Sequence, residues 1–304
     1  MHNHTNTNET KSKRLFISIA LTGIIFFAEF IGGLLTGSLA LLSDSAHVFM
    51  DVFALLLSYF AIQIATRPPN DRHTYGYHRM QVLAALANGA TLLLISVEIL
   101  KEAINRFQNP EPIDAGPMLV VAVIGLVVNL IVALVLKEHD HEDLNTRSAF
   151  LHVLGDALAS VGVIGAGIAI YFTGLTWIDP LVSVLISVLI LISSGRLIKK
   201  TIHILVEGIP DGMTASSVTK TIQAVDGVAG IHDLHIWTVT PGYIALSAHV
   251  ILRDQKLSDT ANIMKEIKQR LDSEYEIEHT TIQFECTDCG QVQAVCIPES
   301  KSVS

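Results

Sequence analysis

The sequence predicts an α-helical membrane protein: a six-helix transmembrane bundle followed by a small cytoplasmic α+β domain. Three observations carry this. Half of the residues are hydrophobic and only 16% are charged, too apolar a balance for an ordinary soluble chain. The apolar residues gather into about six runs, each near the ~20 residues a helix needs to cross a bilayer. After Glu207-Gly208-Ile209-Pro210 the composition becomes mixed and no further spanning run follows.

The boundaries follow from composition. Residues 1–13 are polar and read as a disordered tail, in which His2 and His4 are solvated. The membrane domain covers 14–206, with runs at Leu15–Leu35, Leu39–Ala65, Val82–Ile104, Pro117–Leu136, Ala149–Phe172 and Ile178–Ile204. The first run is too long for the core of a signal peptide, and no cleavage pattern follows it. Residues 207–290 form the cytoplasmic domain and 291–304 a flexible tail. Basic residues set the orientation. Lys11, Lys13 and Arg14, then Arg67, Arg72 and Arg79, then Lys137 and Arg147, then Arg196, Lys199 and Lys200 lie on one side. The loops at Thr36-Gly37-Ser38 and Thr173–Trp177 have none. Both termini are therefore expected in the cytoplasm of a multi-pass cell-membrane protein.

Within the membrane runs, two His-Asp pairs stand out. SDSAHVFMD carries His47 and Asp51, and AFLHVLGD carries His152 and Asp156. A separation of four puts each pair on one helical face, about one turn apart. An unpaired ionisable side chain at such depth costs roughly 2.5–3.5 kcal/mol on insertion scales, so two such pairs call for a functional reason. Together they could complete a tetrahedral site for zinc and its chemical neighbours. Asp44 is either an accessory acid beside His47 or a cap for the start of its helix. Glu29 reads as a support for the ligands, a proton carrier or a structural acceptor. Asn88 is expected to bridge helices, while Asn129 is open to a place along the pore. Gly162, Gly165 and Gly167 allow close helix packing, and Pro180 suits a first helical turn.

Outside the bundle, the loop RPPNDRHTYGYHR brings His73 and His78 near Asp71, a candidate second metal site. KEHDHED, with His139 and His141, reads as a solvated charged loop. The last domain fits an α–β–β–α–β order, with helices on one face of a sheet. A helix over Thr214–Val225 precedes strands at His232–Thr240 and Tyr243–Leu252, joined by Pro241-Gly242. A helix capped by Ser258 and a strand at His279–Glu285 follow. Metal ligands there are expected at His232, His249 and His279, joined by Glu285, Cys286 and Cys289. Strand alternation places His235 on the opposite face from His232.

The net charge of −9 argues against a nucleic-acid partner. All three cysteines, Cys286, Cys289 and Cys296, lie in the cytoplasmic tail, where metal binding is favoured over a disulfide.

The motifs GSLALLSDSAHVFMD, YGYHRMQVLAALANG, AFLHVLGDALASVGV, LVEGIP, IHDLHIWTVT and HTTIQFE occur in this order over nearly the whole chain. In them the sequence resembles the cation diffusion facilitators, close to the bacterial cadmium–cobalt–zinc exporters and the vertebrate zinc transporters. The resemblance implies a homodimer with six membrane helices per subunit and a cytoplasmic ferredoxin-like domain at the dimer contact. It implies metal export, by alternating access, coupled to inward proton flow. It maps the transport site onto His47, Asp51, His152 and Asp156, the version associated with zinc. The loop site maps onto His73 or His78, and the cytoplasmic site onto His232, His249, His279 and Glu285. Cys286 and Cys289 resemble the tail cysteines of the vertebrate branch, with different spacing.

The residues support antiport on their own terms, because histidine must be neutral to bind metal and so metal competes with protons. The expected cargo is zinc, with cadmium and cobalt, exchanged for protons within a lipid bilayer. Zinc is also the expected ligand of the cytoplasmic domain. Two rivals belong to other classes. A membrane zinc hydrolase needs an open coordination position, and no HExxH motif is present. A membrane-tethered metal sensor would bind metal in its tail and transport nothing.

Overall fold

The computed structural model describes residues 21–137 and 144–286. It divides into two compact units, Met1–Phe60 with Ala84–Ile198, and Ala61–Leu83 with Lys199–Ser304. The N-terminal tail, the His139–His141 patch, Cys289, Cys296 and the 291–304 tail lie outside the described residues.

The first unit is helical. It is built from α1 (Leu21–Thr36), α2 (Leu39–Ala65), α3 (Met80–Gln108), α4 (Ala115–Lys137), α5 (Leu144–Thr173) and α6 (Ile178–Leu205), although the C-terminal ends of α2 and α6 and the start of α3 belong to the second unit. Among the described residues, four stretches are long and apolar enough to cross a membrane: Leu39–Ala65, Met80–Gln108, Asp156–Thr173 and Ile178–Leu205. Leu21–Thr36 and Ala115–Ile131 are shorter apolar helices. Leu94, Leu158 and Leu189 are largely exposed on the outer surface of these helices, as a bilayer solvent permits and water does not.

Small residues let the helices close on one another. The buried interior is made of Ala40, Leu41, Met118, Ala122, Val163, Ala166, Ile186 and Ile190. A Cβ at Gly167 of α5 would come within 2.8 Å of Leu119 on α4, so glycine is what allows that approach. Gly32 plays the same part between α1 and Val121 of α4.

The start of α2 is held from across the bundle. Ser38 donates to Asp179 at 2.5 Å, and the backbone N–H groups of Leu39 and Ala40 donate to the same carboxylate at 2.7 and 3.3 Å. The carboxylate thus satisfies amides that a helix N-terminus leaves without partners. Arg106 donates to the Gly37 carbonyl and pairs with Glu102 and Glu111, each at 3.1 Å, closing the same end.

The cytoplasmic domain has the expected element order. Thr214 caps α7 (Ala215–Gln223) in a capping box with Ser217. β1 (Val228–Thr240) pairs antiparallel with β2 (Tyr243–Leu252) across Pro241-Gly242, where the φ of +81° at Gly242 requires glycine. α8 (Leu257–Tyr275) then carries the chain over to β3 (His279–Glu285), parallel to β2. Val218 and Ile222 of α7 and Ile267 and Leu271 of α8 pack with Ile231, Ile236, Leu246 and Val250 of the sheet. The second helix starts earlier than expected: its N-cap is Lys256, with no side-chain capping bond, and Ser258 lies within the first turn.

One feature of β1 corrects a face assignment. His232 pairs with His249 and His235 with Ser247, so three steps along β1 match two along β2. This bulge, in which Asp233 takes a φ of 51°, inserts one residue. Ile231, Leu234 and Ile236 therefore all point into the core, and His232 and His235 share the other face rather than opposing ones.

Candidate metal centres

α2 carries His47 and Asp51 one turn apart, and α5 brings Asp156 to them. His47 Nε2 lies 3.2 Å from Asp156 Oδ1 and 3.9 Å from Asp51 Oδ2. The three ligand atoms all fall within 4.8 Å of one another, and all three residues are partly buried. Residue 152 sits one turn before Asp156 on α5, and its side chain lies outside the described residues. A neutral imidazole and two carboxylates are nitrogen and oxygen donors that suit zinc, cobalt or cadmium.

Behind this cluster the structure decides between the two readings of Asp44. Ser38 begins α2, so Asp44 does not cap it. Asp44 is buried and accepts a hydrogen bond from Ser160 at 3.4 Å, and Asn129 donates to Ser160 at 3.4 Å. Asn129 is thus a bridge from α4 to α5. Ser160 was missed from the sequence, although its place one turn beyond Asp156 puts it on the same face of α5. Glu29 is buried, and neither carboxylate oxygen has a hydrogen-bond partner among the described residues. It packs where Gly125 of α4 leaves room, close enough to Asp44 and Asp156 for mutual electrostatic influence.

A second cluster forms on the open face of the cytoplasmic sheet. His232 Nε2 lies 2.9 Å from Glu285 Oε2, and His249 Nδ1 lies 2.9 Å from Glu285 Oε1. The register explains the meeting. His232 and His249 are cross-strand partners, and Gln283, the partner of His249 on β3, is two residues from Glu285 on the same face. His232 is buried. Its hydrogen bond to Glu285 is the main cause holding that carboxyl below its ordinary 4.5, helped by a bond from Gln283 and the nearby His249.

Several expected ligands fall elsewhere. His279 opens β3 opposite Ala245, six residues from Glu285, and stacks edge-on with Tyr75 and Tyr243 at 5.6 and 5.8 Å. Strand rise separates the two ends of β3 by roughly 20 Å, so His279 does not join the cluster. Cys286 is exposed and stands outside it. In the α2–α3 loop, His73 packs on Tyr77 at 4.5 Å and His78 on Tyr243 at 5.5 Å, so the two do not converge. Among the described residues, the loop forms no metal-ligand group. Asn70 instead organises it, accepting from the backbone of Arg72 and His73 at 2.9 and 3.0 Å. A cavity of about 900 Å³ lies between this loop and β1, and Arg79 pairs with Glu207 at its rim at 3.0 Å.

The two clusters, one in apolar helices and one on a small sheet, match a known pairing of domains. A cation efflux transmembrane domain matches residues 15–206, and the cytoplasmic domain of cation efflux proteins matches residues 210–286. This chain belongs to the cation efflux family. It is 44% identical over 287 residues to the cadmium, cobalt and zinc/H(+)-K(+) antiporter of Bacillus subtilis, covering 93% of this chain and 91% of that protein. The metal cation efflux system protein CzcD of Cupriavidus metallidurans is 41% identical over 293 residues, 96% of this chain and 92% of that one. The zinc transporter ZitB of Pectobacterium atrosepticum is 43% identical over 292 residues, 95% and 90% of the two chains. A solved structure of the metal-bound C-terminal domain of the CzcD transporter is 40% identical over 24% of this chain and 99% of its own, with a TM-score of 0.22. Cation efflux proteins are membrane transporters rather than enzymes, so neither cluster needs the open coordination position of a hydrolase.

Proposed function

We propose that this cation efflux protein exports zinc, with cadmium and cobalt, from the cytoplasm in exchange for protons, by alternating access at His47, Asp51, His152 and Asp156. The observation that carries the reading is the convergence of His47, Asp51 and Asp156 on ligand atoms within 4.8 Å of one another, inside apolar helices. Cytoplasmic metal loads onto neutral imidazoles, the helices rearrange, and protons from outside displace it, since both compete for the same nitrogens. Asp44 and Ser160 support the site from behind. The names of the relatives agree with cadmium, cobalt and zinc as cargo.

The rest of the assignment follows that reading. Residues 1–13 and 291–304 are tails, 14–206 the membrane domain and 207–290 the cytoplasmic domain. Both termini face the cytoplasm, and the protein works as a homodimer through its cytoplasmic domains, in a lipid bilayer. His232, His249 and Glu285 hold a second metal ion. Their two imidazoles and carboxylate are the donors that zinc takes, and the close contacts that now join them occupy the positions a cation would use. That cluster also supports a second reading, a membrane-tethered metal sensor.

Everted vesicles with an imposed pH gradient separate the readings. Zinc uptake should follow the gradient, stop when the gradient is collapsed, and be lost in Asp156→Ala while cytoplasmic-domain binding persists. Uptake indifferent to the gradient refutes the coupling. An Asp156→Ala protein that keeps full metal resistance in cells favours the sensor.

A further inference from the structure

β1 departs from a plain strand at three places, and one of them, between His232 and His235, borders the cytoplasmic cluster. Asp233 is a non-glycine residue with a left-handed backbone, held in the bulge between His232 and His235. Aspartate tolerates this region better than most side chains, yet such a conformation persists only where the surroundings impose it. Bulges beside functional sites re-aim side chains, and this one brings a second carboxylate to the open face of the sheet.

The distances show what that carboxylate meets. Asp233 Oδ2 lies 3.7 Å from His249 Nε2, and Asp233 Oδ1 lies 3.1 Å from His235 Nε2. The other ring nitrogen of His249, Nδ1, faces Glu285 at 2.9 Å. His249 therefore stands between two carboxylates, one at each nitrogen. A neutral imidazole that lends Nδ1 to a metal must carry its proton on Nε2, and the group facing the second nitrogen decides which tautomer is present.

We propose that Asp233 is a positioning residue of the cytoplasmic metal site: its carboxylate holds His249 with the proton on Nε2 and Nδ1 free for metal, and His235 holds that carboxylate in place. The proposal rests on reading His232, His249 and Glu285 as a metal site. It assigns a use to the left-handed residue and to His235, which the cluster itself does not include. It also gives the bulge a chemical consequence. Without the inserted residue, every side chain beyond it would change faces.

The test uses the full-length protein with Asp156→Ala added to silence the transport site. Cobalt(II) titration, followed by its visible absorption, reads affinity at the cytoplasmic site. Histidine ¹⁵N shifts read the His249 tautomer. Asp233→Gly is the informative variant, because glycine accepts the positive φ without strain and removes the carboxylate. It should bind cobalt about 10–100-fold more weakly, the usual loss when an outer partner of a metal-bound histidine is removed, and the Nε2–H signature of His249 should fade. Asp233→Asn, which also suits the left-handed region and keeps one acceptor oxygen, should fall between. An Asp233→Gly protein with parental affinity and parental His249 shifts overturns the proposal, provided Glu285→Gln weakens binding. If Glu285→Gln also binds as the parent does, the metal-site reading fails and the proposal falls with it.

Discussion

Replacing Asp179 by alanine should destabilise the membrane domain more than almost any single change outside its apolar core. The carboxylate is fully buried and accepts from Ser38 at 2.5 Å, Leu39 N–H at 2.7 Å and Ala40 N–H at 3.3 Å. Leaving a buried donor without a partner costs about 1–3 kcal/mol, and these bonds run to a charged acceptor at a helix N-terminus. Three donors give a loss of roughly 3–5 kcal/mol after partial relaxation. Asp179→Asn keeps one acceptor oxygen and should lose about 1–2 kcal/mol, from the charge at the helix end and the missing second acceptor. Thermal unfolding in a fixed detergent, followed by loss of the monodisperse chromatographic peak, measures the order wild type, Asn, Ala. The same end of α2 orients His47 and Asp51, so the alanine variant should also transport poorly at temperatures where it stays folded. An alanine variant within about 1 kcal/mol of wild type would refute the reasoning, because the three donors must then find water at that end of the bundle.

Three further outcomes follow. Below the range where imidazoles are neutral, apparent zinc affinity at the transport site should fall up to about 100-fold per pH unit if two histidines must release protons; His47→Asp should cut this to about 10-fold in the same uptake assay. The Glu285 carboxyl sits below its ordinary 4.5, so it contributes stability above that pH that drains away as pH falls through its folded value. In the metal-free protein, Glu285→Gln should therefore lower stability near neutrality and flatten the acid limb of a stability–pH curve, the two proteins converging once the carboxyl of the parent is protonated. Gly167→Val should cost about 1–3 kcal/mol by overpacking against Leu119, read as a lower unfolding temperature, with Gly165→Ala, which meets nothing within 4 Å, as the mild control.

What could be read from the sequence tracks how local each interaction is. The His47–Asp51 pair needed only the helical repeat, and α2 delivers it. The helix after Thr214 and the Pro241-Gly242 hairpin are equally local, and both formed. His235 was placed on the wrong face because alternation assumes an unbroken ladder, and one inserted residue reverses it. Aspartate's tolerance of positive φ was the one hint of that insertion, and it is too common to act on alone. His279 fails for a reason that strand geometry could have supplied: six residues separate it from Glu285 along an extended strand, too far for one ion. Asp179 escaped notice because its partners are about 140 positions away, and no periodicity connects the start of α6 with the start of α2. The Ser160–Asp44 contact also crosses helices, although Ser160 shares its α5 face with Asp156.

The composition of the proposed transport cluster also explains why exchange, rather than one-way passage, is the natural behaviour of such a site. With neutral imidazoles, Asp51 and Asp156 leave the empty site with two negative charges between apolar helices. Moving that charge to the opposite side of the membrane domain is costly, because neither lipid nor the helix interior solvates it well. One divalent cation cancels the charge, and so, on the proposed assignment of His152 beside His47, do two protons taken up by the imidazoles. Both neutral forms can rearrange, while the empty form is held back by its own charge. Coupling then needs no separate gate. It follows from donors that bind a metal ion or protons, never both together, and from carboxylates that keep the unloaded carrier charged.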